Sequence, residues 1–364
     1  MHPKKAIAYY ITAHGYGHGV RSCDVIRSLN ERHPQHPVVL ISDLPESFLR
    51  SRLASGQNRF RRGSFDVGMV QLDSIRVDVP ATLRELEVLY TRHAGRVREE
   101  KEFLQSIHAG VVVSDIPAIP LEAAASCSMP CLAMGNFSWD WIYASFASQD
   151  PRWGGYVEKY RTGYALADLL LKLPLSPEMP AFPLQEEIPL VASPGRERRS
   201  DIAKLTGCDP RKKWVLLSFT TLDWNEEALR HIEQLDTYEF FTVKPLEWIR
   251  KNIYSIDHGL VSFSDVLASV DIVVSKPGFG LISECILNRK PLVFADRSDF
   301  VEYDVLVAGI QKFLKNLHIP SADLYQGDLA PSLEAVMNQP EPRETLLGGG
   351  AELAAGRIVE YLMR

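Results

Sequence analysis

Two stretches of this chain place glycine, histidine, lysine and carboxylate at spacings that can bind or move charge. The first is Ile272-Val-Val-Ser-Lys-Pro-Gly-Phe-Gly-Leu-Ile-Ser-Glu-Cys-Ile, which reads as a buried strand, a glycine turn and a helix start with an acid one turn in. Gly278 and Gly280 let backbone come close to a ligand, the N–H groups of a first helical turn favour an anion, and Lys276 adds a positive charge beside them. Those features suit a nucleotide diphosphate. Glu284 would repel the phosphates themselves and is better placed for the neighbouring ribose hydroxyls. No G-x-x-x-x-G-K-[ST] loop is present, and the G-x-G lacks the third glycine of the dinucleotide fingerprint. The plainer reading is a glycine-broken turn packed tightly for its own sake.

The second stretch is Ala13-His-Gly-Tyr-Gly-His-Gly, which follows the strand-like Ala6-Ile-Ala-Tyr-Tyr-Ile-Thr and precedes helical spacing of apolar residues from Val20 to Leu29. Three glycines separated by single residues can press backbone against a ligand, and His18 falls where the helix begins. A helix N-terminus disfavours imidazolium, so His18 should stay neutral and able to accept a proton. Its candidate partner is Asp115, at the carboxyl end of the strand Ala109-Gly-Val-Val-Val-Ser-Asp. An acid there can hold the histidine's other nitrogen and offset the charge formed on protonation. Two loop histidines capping a turn is the plainer alternative.

These residues need an open parallel sheet to position them. Strands expected at about 6–12, 38–42, 67–72, 110–114 and 131–134 alternate with helices in the first half, and Trp214 to Phe219, Glu239 to Val243, Gly259 to Ser262, Asp271 to Ser275 and Pro291 to Phe294 repeat the pattern in the second. The apolar segment Ala165 to Leu175, interrupted by Asp168 and Lys172, reads as a core-facing helix. Five prolines between Pro174 and Pro189, then Ser193-Pro-Gly, mark a linker. The expected fold is α/β, with two doubly wound Rossmann-like domains facing across a cleft that His18 and Gly278 would line. The boundaries read as 1–175, a Pro-rich linker 176–196, a second domain 197–346, and a terminal helix 347–364 crossing back to the first domain.

At 364 residues, 46% hydrophobic and 24% charged, the composition is that of a globular protein with two full cores. The net charge of −6 divides unevenly, at +1 over residues 1–180 and −7 over 181–364, and neither half has the basic surplus of a nucleic-acid binder. One basic cluster stands out: Arg50, Arg52, Arg59, Arg61 and Arg62 read either as a solvated loop or as contact with an anionic acceptor or an acidic membrane surface. Five scattered cysteines with no C-x-x-C pair argue for a reducing compartment and against a zinc site. Lys4 and Lys5 directly before a strand, with no cleavage site and no apolar run of ~18 residues, imply a cytoplasmic protein.

Ser275-Lys-Pro-Gly-Phe-Gly-Leu-Ile-Ser-Glu is similar to the donor motif of the GT-B fold glycosyltransferases, both the peptidoglycan N-acetylglucosaminyltransferases (MurG) and the plant UDP-glycosyltransferases. In the plant motif a histidine stands at Lys276, an asparagine and a serine at Gly280 and Leu281, and the ribose-binding acid at Glu284. The loss of those polar side chains leaves backbone N–H groups to hold the diphosphate. Gly17-His18 resembles the Gly-His of the first loop in both groups, where the plant histidine is the general base oriented by an acid placed like Asp115. The first half also resembles the glycosyltransferase-like region of L-arabinokinases, through Ala8-Tyr-Tyr-Ile-Thr-Ala-His-Gly-Tyr-Gly-His-Gly-Val-Arg, Val113-Ser-Asp-Ile-Pro and Asn136-Phe-Ser-Trp-Asp-Trp-Ile-Tyr. No Pro-x-x-x-Gly-Leu-Ser-Ser kinase loop occurs.

The resemblance implies an inverting transfer of a sugar from a nucleotide-diphosphate sugar, a UDP-sugar by this likeness, to an acceptor hydroxyl. His18 and Asp115 would be catalytic. The donor would lie against Gly17, Ser218, Thr220, Lys276, Gly278, Phe279, Gly280, Leu281, Ser283, Glu284 and Glu302, and Asp296 and Asp304 follow the strand where such enzymes read sugar hydroxyls. Retaining relatives carry Glu-x7-Glu ending at the ribose acid, but position 276 is lysine. No Asp-x-Asp occurs, so Lys276 and helix dipoles would stabilise the leaving diphosphate without a metal or other cofactor. His14, Asn136, Trp139 and Asp140, with Tyr143, form a polar and aromatic set that reads equally as an acceptor platform or as a buried helix start. A UDP-sugar 2-epimerase and a noncatalytic sugar-nucleotide sensor stay open on the same residues.

Overall fold

The computed structural model describes residues 5–53, 56–71, 77–296 and 300–364. Lys4, Leu72 and Asp299 lie outside the described residues. The chain divides into two compact units, the first holding Met1–Val70, Val77–Ala192 and Gly348–Arg364, the second holding Ser193–Leu347.

In the first unit, β1 (Ala6–Ile11), β2 (Val38–Ser42), β3 (Asn58–Arg62), β4 (Ala109–Asp115), β5 (Cys131–Gly135), β6 (Leu169–Lys172) and β7 (Gln185–Glu187) form one sheet in the order β3-β2-β1-β4-β5-β6-β7. Every neighbouring pair is parallel. Parallel strands are covered on both faces, which is why β1, β2 and β5 are buried along their whole length and read as unbroken apolar runs.

The second unit repeats the plan. Its strands β8 (Lys213–Ser218), β9 (Tyr238–Val243), β10 (Ile253–Ile256), β11 (Ile272–Ser275), β12 (Leu292–Ala295) and β13 (Asn316–Ile319) run in the order β10-β9-β8-β11-β12-β13, again all parallel. In both units the first strand sits between the second and the fourth, so the chain builds outward to one edge and then crosses back. The two connections that leave β1 and β4, or β8 and β11, depart in opposite directions and open a crevice at the strands' carboxyl ends. The two glycine-rich stretches lie at these two points.

Several expectations are corrected. Residues 64–70 form no strand, and the edge strand is β3, inside the arginine cluster. The segment read as a helix from Ala165 carries β6 instead, because Leu169, Leu170 and Leu171 are buried between β5 and β7 in a run too short to form a helical stripe. Gly259 to Ser262 is a turn ending in the Ser262 N-cap of the helix Phe263–Ser269, and the strand lies earlier, at β10. β13, with an exposed histidine at its centre, lacks the apolar run that marks the other strands. The segment 176–196 includes β7, which pairs with β6.

The glycines before the terminal helix (Gly350–Leu362) have a packing reason. Gly349 adopts a left-handed φ of 100°, and a Cβ on Gly350 would stand 2.1 Å from the carbonyl oxygen of Pro189. Gly350 N–H donates to Leu190 O at 3.1 Å, and the helix then packs on the helix Tyr16–Arg32 and on β4, all within the first unit. Among the described residues no helix is long and apolar enough to cross a membrane.

Candidate functional site

The helix Tyr16–Arg32 starts four residues before its apolar spacing begins at Val20, with Gly15 in extended conformation as its N-cap. His18 is therefore in the first helical turn and not at its edge. Of the three loop glycines, Gly19 is the one that packs, since a Cβ there would meet Phe48 and Leu44 at 2.7 and 2.8 Å. Gly15 and Gly17 have open space where a Cβ would stand.

His18 and Asp115 come together across 97 residues of sequence, with Nδ1 at 2.8 Å from Oδ1. Asp115 is fully buried at the end of β4. Its carboxylate has three further donors: Arg21 Nε to Oδ2 at 2.8 Å, Arg21 Nη2 to Oδ1 at 2.5 Å, and Ser22 Oγ to Oδ2 at 2.8 Å. Arg21 Nη1 also donates to Asn136 Oδ1 at 2.6 Å. Burial alone would push the Asp115 carboxyl up, but the charge and hydrogen bonds of Arg21 and His18 outweigh it and hold the group well below the usual carboxylate range. Asp115 is therefore ionised, and the four donors fill the lone-pair sites of its two oxygens.

Arg21 Nη2 also stands 2.9 Å from His18 Nδ1. One nitrogen cannot donate to Asp115 and accept from Arg21 at once. A lone pair turned toward an ionised carboxylate 2.8 Å away is repulsive, so Nδ1 carries the proton and Nε2 the lone pair. Burial, then the Arg21 charge, lower the His18 pKa, and Asp115 opposes them without reversing the direction. The histidine is neutral, as its place in the helix suggested, but for a different main reason.

Neither Arg21 nor Asp66 was found from sequence. Arg21 had a usable signal, since His18, Arg21 and Ser22 at i, i+3 and i+4 share one helix face. Asp66 had none: it lies in an irregular segment and is buried by tertiary contact. Its carboxylate accepts from Thr12 Oγ1 at 2.9 Å and from Trp139 Nε1 at 2.8 Å, yet burial still pushes its pKa up to about 6. The expected acceptor set is drawn inward by these contacts. Trp139 stacks on Tyr143 and meets His14 edge-on, Asn136 is taken by Arg21, and Asp140 is 2% exposed. The Tyr143 hydroxyl donates to Gly68 O and Met69 N–H donates to His14 Nδ1. Asn136, Trp139 and Asp140 thus wall the site as packed residues, the plainer of their two readings.

In the second unit, β8 and β11 end side by side, with Ser275 Oγ donating to Ser218 O at 2.6 Å. Lys276 and Gly278 follow, and the helix Phe279–Leu287 starts with Gly278 as an extended N-cap that has no side-chain cap and open space at its Cβ position. Glu284 is buried one turn and a half along, and Ser264 Oγ donates to its Oε1 at 2.9 Å. Ser283 is corrected: it is fully buried and its hydroxyl donates back to Phe279 O, so it faces the helix and not a ligand. Thr220 is exposed, and Ser218, Gly280, Leu281 and Glu302 are half-buried. Asp296 is spent on structure, accepting from Ser321 N–H and pairing with His318 Nε2 at 2.6 Å, which ties β12 to β13. Among the described residues no group of three or more His, Cys, Asp or Glu is placed to hold a metal ion.

No family model matches the chain. An L-arabinokinase of Arabidopsis thaliana is 28% identical over 372 residues, covering 97% of this chain and 34% of that protein, so the chain spans about a third of the length of the curated relative it matches. Among solved structures, Arabidopsis thaliana UGT89C1 complexed with quercetin matches with a TM-score of 0.63 at 13% identity, over 99% of this chain and all of that one, 100%. A UDP-glucosyltransferase from Polygonum tinctorium capable of glucosylating indoxyl matches with a TM-score of 0.63 at 13% identity, over 100% and 99% of the two chains. The glycotransferase of kitacinnamycin gives 0.61 at 15% identity, over 99% and 95%. The fold is GT-B. Two parallel α/β sheets, one of seven strands and one of six, are the two Rossmann-like units of that architecture.

On the GT-B first unit the arginine cluster is largely neutralised by acids. Arg61 pairs with the buried Glu100, Arg62 with Asp43 at 2.5 Å, and Arg50 with Glu46 at 2.7 Å, while Arg59 is exposed.

Proposed function

We propose that this chain is a glycosyltransferase that moves a sugar from a nucleotide-diphosphate sugar to an acceptor hydroxyl with inversion and without a metal. The observation that carries the reading is the His18–Asp115 pair at the β1–β4 crevice, with Nδ1 held at 2.8 Å by an ionised carboxylate and Nε2 left to take a proton. A histidine so held is built to act as a general base. In the reaction Nε2 takes the acceptor's hydroxyl proton, the acceptor oxygen bonds to the anomeric carbon, and the carbon–oxygen bond to the diphosphate breaks with its electron pair leaving on the diphosphate. The N–H groups at the start of Phe279–Leu287 and Lys276 would stabilise that leaving charge, and Glu284 would accept from the ribose hydroxyls. The GT-B likeness supports this assignment, as do the UDP-L-rhamnose complex of UGT89C1 and the glucosylation of indoxyl by the Polygonum tinctorium UDP-glucosyltransferase.

Thermal-shift screening with nucleotide diphosphates and sugar nucleotides tests the donor half. A ligand at 100 times its dissociation constant stabilises by about 2.7 kcal/mol, and the shift should persist in excess chelator. His18→Ala then tests the base: transfer should fall by ~10²–10⁴-fold with donor affinity nearly intact, and Asp115→Asn should act in the same direction. His14→Ala is the control. A second reading, noncatalytic sensing of a sugar nucleotide, is favoured by one observation: the curated relative is named a kinase, and this chain aligns with only 34% of it. Donor binding with neither hydrolysis nor transfer across a wide acceptor panel would decide for the sensor.

A further inference from the structure

Arg21 is 3% exposed, on the same helix as His18 and three residues further on. Burying a permanent charge is costly, and a buried pair holds only when geometry and further hydrogen bonds are good. Here both conditions are met: Nε and Nη2 fork onto the two oxygens of Asp115, and Nη1 ends on Asn136. In a two-member histidine–carboxylate pair the carboxylate's charge is available to the imidazolium. In this site that charge is balanced before any proton arrives.

Among the described residues, the other groups beside the histidine and its carboxylate are neutral or engaged with further partners. Ser22 donates to Asp115 from the same helix. Tyr9, from β1, is kept protonated by burial. Asp66 is engaged by Thr12 and Trp139, and the Phe137 ring meets His18 edge-on at 5.5 Å.

We infer that Arg21 is a positioning residue of this site: it balances the charge of Asp115 and fixes that carboxylate where it holds the Nδ1–H of His18, leaving Nε2 as the single basic nitrogen. This rests on the reading of His18 as the base and specifies what kind of base it is. Burial and the Arg21 charge favour the neutral ring of His18, which is thereby a weaker base than a histidine backed by an uncompensated carboxylate.

Nitrogen NMR of the full chain labelled at the histidine rings reads the tautomer and the titration of His18, assigned against His18→Gln. The unaltered protein should show an Nδ1–H ring with a midpoint below the 6.5 of an ordinary histidine. Arg21→Met frees the Asp115 charge and should move that midpoint up by about one pH unit or more. Arg21→Lys, which keeps a charge but not the fork, should leave the midpoint low. A folded Arg21→Met protein with an unmoved midpoint overturns the inference, because a merely structural role predicts that result. If Arg21→Met does not fold, the unaltered protein still decides, since an Nε2–H ring or a midpoint at or above 6.5 also overturns it. Failure to bind any sugar nucleotide would remove the functional reading and leave the titration result standing.

Discussion

At the β1–β4 crevice, charged side chains hold one another: Arg21, Asp115, His18, Ser22 and Asn136 are all buried and joined by hydrogen bonds. At the β8–β11 crevice, glycine and backbone predominate: Lys276 and Gly278 follow the strand, Gly278 beside open space, and the carboxylate of Glu284 is steadied by Ser264. The same topology thus carries two kinds of crevice. A network that must hold a ring nitrogen in one tautomer has to be built from side chains, because only they can supply a fixed charge. A surface that grips a diphosphate can be built from N–H groups, because the helix start already presents them. A network of the first kind should be bound up with stability, and a backbone cradle of the second kind nearly independent of it.

The strongest test of that contrast is to remove one cation from each site. Arg21→Met leaves a buried carboxylate without its partner and should cost about 3–5 kcal/mol of unfolding free energy. Lys276→Met, on a half-buried loop, should cost less than about 1 kcal/mol. Urea denaturation of both variants reads the difference, and equal losses would erase the distinction between the sites.

A second test uses pH. Burial raises the Asp66 pKa from 3.8 to about 6, so its contribution to stability is whole below the unfolded value and lost as pH rises through about 6. A shift of that size corresponds to about 3 kcal/mol. Asp115 has the opposite sign: its stabilisation is present above 3.8 and lost only as pH falls below it. Stability of the unaltered protein relative to Asp66→Asn should therefore fall between about pH 4 and pH 7. Parallel denaturation curves across that window, with no divergence, would mean that Asp66 is not buried as described.

The smallest stability effects belong to the second unit, where binding should move instead. Glu284→Ala should weaken nucleotide diphosphate binding by about 1–3 kcal/mol. Gly278→Ala has no atom to collide with and an extended backbone that alanine accepts, so its unfolding free energy should change by less than about 0.5 kcal/mol. Calorimetry should nonetheless show weaker nucleotide binding, because a methyl group keeps the diphosphate from the backbone. Unchanged affinity in both variants would remove the donor site from this helix.

What the sequence determined by itself was local. Ile272 to Val274 and Val111 to Val113 are β-branched apolar runs that read as buried strands, and the glycine spacing after Ser275 marks where backbone can approach a ligand. Those signals need no knowledge of the rest of the chain, and they placed Asp115 and Lys276 at strand ends and His18 and Glu284 in the helices that follow strands. Tertiary structure decided everything that depends on distant partners. Leu169 to Lys172 is a strand because β5 and β7 flank it, although its four residues fit either period. Asp66 is buried because Trp139, 73 residues away, donates to it. Arg21 reaches Asp115 across 94 residues and supplies the charge that offsets the carboxylate, while Asp115 takes Nδ1 of His18 and so leaves Nε2 facing away from the pair. Charge compensation in a buried site is a property of which groups meet, and sequence spacing does not encode meetings between separate strands and helices.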